Sequence, residues 1–123
     1  MPILNLTLFE ALFLTHFISD WLFQTQWEAM NKSKKWPPLI VHSFIYSLFF
    51  IPVFYFYKVN FIYLLVLFFS HAILDNRKFE FWWLDKIKMT KKEVVGETTW
   101  IILVIGIDQV FHLAILGLIV LLQ

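Results

Sequence analysis

The sequence contains no cysteine. Disulfides and thiolate metal ligands are thereby excluded, and any metal site must be assembled from histidine and carboxylate. Charge is scarce too: Asp, Glu, Lys and Arg make up 15% of the 123 residues, against about a quarter in a soluble globular domain. There is no internal repeat and no low-complexity segment. A cleavable signal is not expected either, because the first residues are uncharged and the apolar run continues past Phe17 with no small-residue cleavage motif. The first segment is therefore expected to stay as an anchor. What fills the chain instead is apolar: 60% of residues are hydrophobic and 20% aromatic, with 15 Phe and 6 Trp. That composition excludes an ordinary soluble domain and points to a membrane protein of one domain, residues 1–123. The net charge of +1 says little by itself, and nucleic acid is not an expected partner.

Four apolar runs of near-membrane length follow one another, at about 3–23, 37–57, 60–75 and 98–122. The expected fold class is all-α: an integral membrane four-helix bundle. Pro37 and Pro38 suit the first turn of the second span and Pro52 should kink it. Tyr57-Lys58-Val59-Asn60 is so short that spans two and three must form an antiparallel hairpin. Between spans three and four, "KFEFWWLDKIKM" (Lys78 to Met89) alternates charge with Trp82, Trp83, Leu84 and Ile87, the pattern of an interfacial amphipathic helix. Thr90 and Glu93 have the spacing of a capping box for the last helix, with Gly96 as a bend.

Basic residues set the topology. Lys32, Lys34 and Lys35 lie between spans one and two; Arg77, Lys78, Lys86, Lys88, Lys91 and Lys92 lie between spans three and four; Lys58 alone is on the other side. The positive-inside rule places both basic loops, and the amphipathic helix, in the cytoplasm and both termini outside. The six Trp residues (21, 27, 36, 82, 83 and 100) fall near the cytoplasmic ends of spans or between them, as an interfacial belt would.

The polar residues inside these spans carry the functional signal. All four histidines are there, and three have an aspartate four positions away: His16 with Asp20, His71 with Asp75, and Asp108 with His112. Residues four apart project from one helix face, so each pair can present an imidazole and a carboxylate to a common point. His42 enters the second span from the same side. Antiparallel threading brings all seven side chains to similar depth in the cytoplasmic half of the bilayer. Carboxylates in hydrocarbon oppose insertion by roughly 2.5–3.5 kcal/mol each and require partners.

A His/Asp set without thiolate suits a divalent ion, with zinc first and manganese or iron as alternatives. Two such ions would leave one unit of positive charge after neutralisation by three carboxylates, a condition that favours hydroxide or a phosphate oxygen. The expected ligands are His16, Asp20, His42, His71, Asp75, Asp108 and His112. Gln24, Asn76 and Gln109 continue the same faces and are expected to orient them. Asp75 also stands where a helix would end at the interface, and Glu10 has no evident partner in the sequence. These features support a metal-dependent phosphoester hydrolase acting on a phosphate-containing lipid or lipid-linked substrate, with metal-activated water and no Ser or Cys nucleophile. Two other readings are open: a divalent-cation or proton-coupled transporter, in which a homodimer is expected, and a structural or partner-binding membrane subunit.

"HFISDWLFQTQWEAMNKSK", "LIVHSFIYSLFF", "SHAILDNRK" and "IDQVFHLAILGLIVLL" resemble, over nearly the whole chain, a family of small bacterial inner-membrane proteins catalogued as a domain of unknown function. The resemblance implies a bacterial inner-membrane location and membrane lipid as a partner. More distantly, the His16, Asp20, Gln24 spacing is similar to the helical zinc-ligand motif of zinc-dependent phospholipase C and the single-strand-specific nucleases, to which membrane-bound metal-dependent hydrolases are attached. That similarity implies a metal cluster cleaving phosphodiesters. The Pro-Leu-His that follows the glutamine there is replaced here by Thr25-Gln26-Trp27.

Overall fold

The computed structural model describes residues 5–123; Ile3 and Leu4, where the first apolar run begins, lie outside the described residues. Thr7 opens α1 (Leu8–Phe17) with a capping box, in which its hydroxyl accepts from Glu10 N–H while Glu10 Oε2 accepts from Thr7 N–H at 2.7 Å. Glu10 is therefore an exposed helix cap, which explains a carboxylate that lacked a partner in the sequence. The helix then widens into a π turn, Ile18–Leu22, closed by Phe23 N–H on the carbonyl of Ile18. Thr15 and Ser19 hydroxyls donate to the carbonyls of Ala11 and Thr15 in the same stretch, a competition for backbone acceptors that bends helices. A second capping box, Thr25 with Glu28, starts α2 (Gln26–Asn31).

Pro37 and Pro38 stand in the first turn of α3 (Trp36–Leu48). Pro52 lacks the N–H that would reach back to Leu48, and the helix breaks at Phe49 and Phe50 before resuming as α4 (Ile51–Tyr57). Lys58, in the left-handed region at φ 56°, reverses the chain while Val59 N–H closes on the carbonyl of Phe54 at 2.9 Å. Short i to i+3 bonds from Asn60 lead into α5 (Tyr63–Asp75), which packs against α3. Arg77, with φ 71°, turns the chain into α6 (Lys78–Lys86), and α7 (Lys92–Val95) is separated from α8 (Glu97–Leu122) by Gly96 at φ 85°. The expected Thr90–Glu93 capping box does not form: the residue preceding α7 is Lys91, which makes no side-chain cap, and Thr90 N–H donates to the Leu84 carbonyl instead.

All regular structure among the described residues is helical. Two segments, Trp36–Tyr57 with 22 residues and Glu97–Leu122 with 26, are long and apolar enough to cross a membrane. The other two expected spans are shorter as helices, because the π turn and the Thr25 cap end the first at Leu22 and α5 has 13 residues.

Burial repeats every four residues on each long element: Leu12 and His16 on α1; His42 and Tyr46 on α3; Leu67, His71 and Asp75 on α5; Val104, Asp108, His112 and Leu116 on α8. One end of this shared interior is apolar, formed by Leu12, Phe50, Phe54, Leu67, Leu116 and Ile119. The other end is polar. Phe79 and Trp83 of α6 clamp Phe111 of α8, with ring centroids 4.7 and 4.9 Å away, and hold α6 beside that polar end.

Candidate metal centre

Asp75, the last residue of α5, is the centre of the polar interior. Its Oδ2 is 3.1 Å from His71 Nε2 and 3.2 Å from His42 Nε2, and its Oδ1 is 3.4 Å from His112 Nε2. Asp20 joins the first side, with Oδ1 2.9 Å from His42 Nε2 and 3.6 Å from His71 Nε2. Two buried groups result, Asp20-His42-His71-Asp75 and Asp75-Asp108-His112, within each of which one ligand atom per residue lies within 4.8 Å of the others. Each could hold a metal ion, and Asp75 belongs to both.

The donor chemistry fits a cation. His71 Nδ1, Asp75 Oδ1, Asp108 Oδ1 and His112 Nε2 are buried without well-formed hydrogen bonds, and the cation that reaches Asp75 Oδ2 is the Lys32 ammonium at 2.6 Å. A buried, unsatisfied polar atom costs about 1–3 kcal/mol, and more when charged. Lone pairs crowded this closely require positive charge between them. Two imidazoles have one nitrogen fixed, His42 Nδ1 donating to Glu28 Oε2 at 3.2 Å and His112 Nδ1 donating to the Asp108 carbonyl at 2.7 Å, which leaves each Nε2 facing the carboxylates. His71 stacks on Tyr46 with centroids 3.7 Å apart.

Six of the seven expected ligands lie in the two groups, and His16 does not. Its Nε2 donates to Gln109 Oε1 at 2.8 Å and its Nδ1 accepts from Tyr46 OH at 2.9 Å, so neither nitrogen is available. Asp20, in the π turn that begins at Ile18, still comes within 3.9 Å of His16 Nε2, and Gln109 meets both side chains. Of the three residues expected to orient ligands, Gln109 contacts two of the candidate carboxylates, its amide donating to Asp108 Oδ2 at 3.1 Å and Asp20 Oδ2 at 3.4 Å. Asn76 instead accepts from Lys78 N–H at 3.0 Å and caps α6. Gln24 makes no bond to a ligand, and its Oε1 is buried without a partner.

Two participants escaped sequence reasoning. Glu28 is signalled by the Thr25-x-x-Glu28 capping box, which places its carboxylate at the start of α2, where His42 meets it. Lys32, one turn further on, reads as a topology-setting loop lysine, yet it is buried with Nζ 2.6 Å from Asp75 Oδ2 and 3.5 Å from both Asp20 Oδ1 and His42 Nε2.

A cavity of about 220 Å³ opens beside the first group, walled by Asp20, Gln24, Lys32, Arg77, Asp108 and Gln109. Arg77 reaches it from a left-handed backbone position, and its Nη1 is buried without a partner. Glu80 on α6 is fully buried, and both its oxygens lack partners. Burial, reinforced by the charge of Asp108, pushes its carboxyl up to about 7.

The residues that build this centre fall inside one family match. The chain belongs to the DUF3307 family. Described as a protein of unknown function, that family is matched over residues 8–123, a range that includes both groups, Glu28, Lys32 and Arg77. Comparison with curated proteins and with solved structures yields no match to any of them.

Proposed function

We propose that this DUF3307 chain is a single-domain, multi-pass protein of the bacterial inner membrane. It holds divalent metal, zinc first and manganese or iron as alternatives, and hydrolyses a phosphate-containing lipid or lipid-linked substrate. The observation that carries this reading is the sharing of Asp75 between two His/Asp groups next to a cavity that also presents Lys32 and Arg77. A divalent ion held there supplies Lewis acidity toward water and toward a phosphate oxygen. The chain's own side chains supply the rest: Glu28 and the Asp108 carbonyl orient two imidazoles, Gln109 orients two carboxylates, and the cavity cations face an anionic substrate.

The membrane reading draws on an inverted distribution of polarity. His16, Asp20, Glu28, His42, His71, Asp75, Glu80, Asp108 and His112 are inside, while Phe44, Tyr55, Phe56, Phe69, Ile102 and Val110 face outward. A soluble monomer rarely exposes apolar surface on that scale, and ionisable residues in a membrane face the interior of the bundle and mark function. Segments 8–22 and 60–75 would complete four spans, the short third one thinning the bilayer locally, with both termini outside and α6 at the cytoplasmic surface.

The test uses protein purified in mild detergent without chelators. Elemental mass spectrometry should find one or two divalent ions per chain, lost in His71→Ala, and metal-dependent release of phosphate or headgroup from phospholipid or polyprenyl phosphate. Metal-free, well-folded protein would overturn the reading. Bound metal with proteoliposome cation flux, and no turnover, would replace hydrolase by transporter.

A further inference from the structure

Lys32 occupies the place a metal ion would take. Its ammonium has three donors, and the structure sets two carboxylate acceptors near Nζ, Asp75 Oδ2 at 2.6 Å and Asp20 Oδ1 at 3.5 Å, with His42 Nε2, which meets Asp20 Oδ1 at 2.9 Å, 3.5 Å from Nζ on the same side. These belong to three of the four residues of the first metal group. A divalent ion bound by the same atoms at about 2.0–2.2 Å leaves no room for an ammonium among them, so Lys32 and metal exclude one another. The displaced amine has one evident destination, because Lys32 already lines the adjoining cavity and its four-carbon stem is flexible.

That cavity is poorly matched to an anion while Lys32 is engaged. Asp20 and Asp108 form part of its wall, and of the two cations Lys32 is tied to carboxylates, leaving Arg77. A metal ion reverses the balance by neutralising the aspartates and releasing the amine. Arg77 is prepared for this role: its Nη1 is buried without an acceptor, and its backbone is held at φ 71°, a conformation costing about 1–3 kcal/mol for a non-glycine residue. A guanidinium and an ammonium facing one cavity are a phosphate-binding pair.

We propose that the cavity is an oxyanion site for a phosphate group, formed by Arg77 and Lys32, and that it is completed only when a divalent ion displaces Lys32 from the Asp20-His42-Asp75 cluster. The inference rests on the metal-site reading above and adds an obligatory order to it: metal first, phosphate second.

The test compares chelator-stripped wild type, Lys32→Met and Arg77→Gln in detergent, with zinc and inorganic phosphate as probes. Zinc should bind Lys32→Met at least tenfold more tightly than wild type by calorimetry, because the internal competitor is gone. Phosphate, followed by ³¹P NMR line broadening, should bind zinc-loaded but not stripped wild type, and Arg77→Gln should weaken it tenfold or more with zinc affinity unchanged. Equal or weaker zinc binding by Lys32→Met, or phosphate binding indifferent to zinc or to Arg77, would overturn the inference while leaving the metal site standing. Absence of zinc binding in both wild type and Lys32→Met would remove the metal reading and this one with it. A readout on wild type alone guards against a misfolded variant: acetylation of Lys32 by a water-soluble ester, read by mass spectrometry, should rise severalfold on adding zinc, and an unchanged rate would equally sink the proposal.

Discussion

Glu28 Oε2 accepts from His42 Nδ1 at 3.2 Å, across the interface between α2 and α3. The same carboxylate also caps α2 through Thr25 N–H at 3.2 Å. One side chain therefore ties the start of a short helix to the orientation of an imidazole, and His42 Nε2 is left facing Asp20 and Asp75.

Removing that support should be felt at the metal. Glu28→Ala is expected to lower divalent-ion affinity about 10–100-fold, the usual effect of losing a carboxylate behind a ligand histidine. Competition against a chromophoric chelator measures it. Unchanged affinity would mean that His42 is oriented by packing alone.

Asp75 and His16 should behave in opposite ways. Asp75→Ala removes the residue common to both groups and should abolish bound metal. His16→Gln should retain the metal and cost about 1–3 kcal/mol of stability, because Tyr46 and Gln109 lose a buried partner. Elemental analysis beside a thermal melt separates the two, and metal lost from His16→Gln would put that histidine back among the ligands.

Glu80 predicts a pH dependence of stability. Its carboxyl is raised from an ordinary 4.5 to about 7, so between those values the folded chain holds a proton that the unfolded chain has released. The stability this group contributes is complete below about pH 4.5 and is lost as pH rises through 7. Melting temperatures of wild type and Glu80→Gln, measured from pH 4 to 8, should therefore diverge, with wild type falling more steeply. Parallel curves would show that Glu80 meets water or a partner.

Gly96 sits at φ 85° and ψ 164°, a region open almost only to glycine. An added Cβ would touch nothing within 4 Å, so Gly96→Ala should cost about 1–3 kcal/mol through the backbone alone. Chemical denaturation in detergent would measure it, and a neutral substitution would imply that α7 and α8 can join differently.

Much of the interior was legible because helical spacing is local. Leu67-His71-Asp75 and Val104-Asp108-His112-Leu116 recur every four residues, so each inward stripe can be drawn without knowing what it faces. Pro52, Gly96 and the Tyr57–Asn60 hairpin were readable for the same reason: each acts on backbone within a few residues of itself.

What the sequence determined by itself was an apolar helical chain, poor in charge, with an aspartate one turn from three of its histidines. Tertiary structure decided which of them share a centre. His16, although within 3.9 Å of Asp20, has both ring nitrogens taken by Tyr46 and Gln109. Folding α2 back on α3 drew Glu28 and Lys32 inward from a segment that reads as a charged loop. The physical reason is that periodicity selects the face a side chain occupies, whereas its partners depend on how faces from distant segments meet. Lys32 to Asp75 is a contact across 43 positions, and no local pattern encodes it.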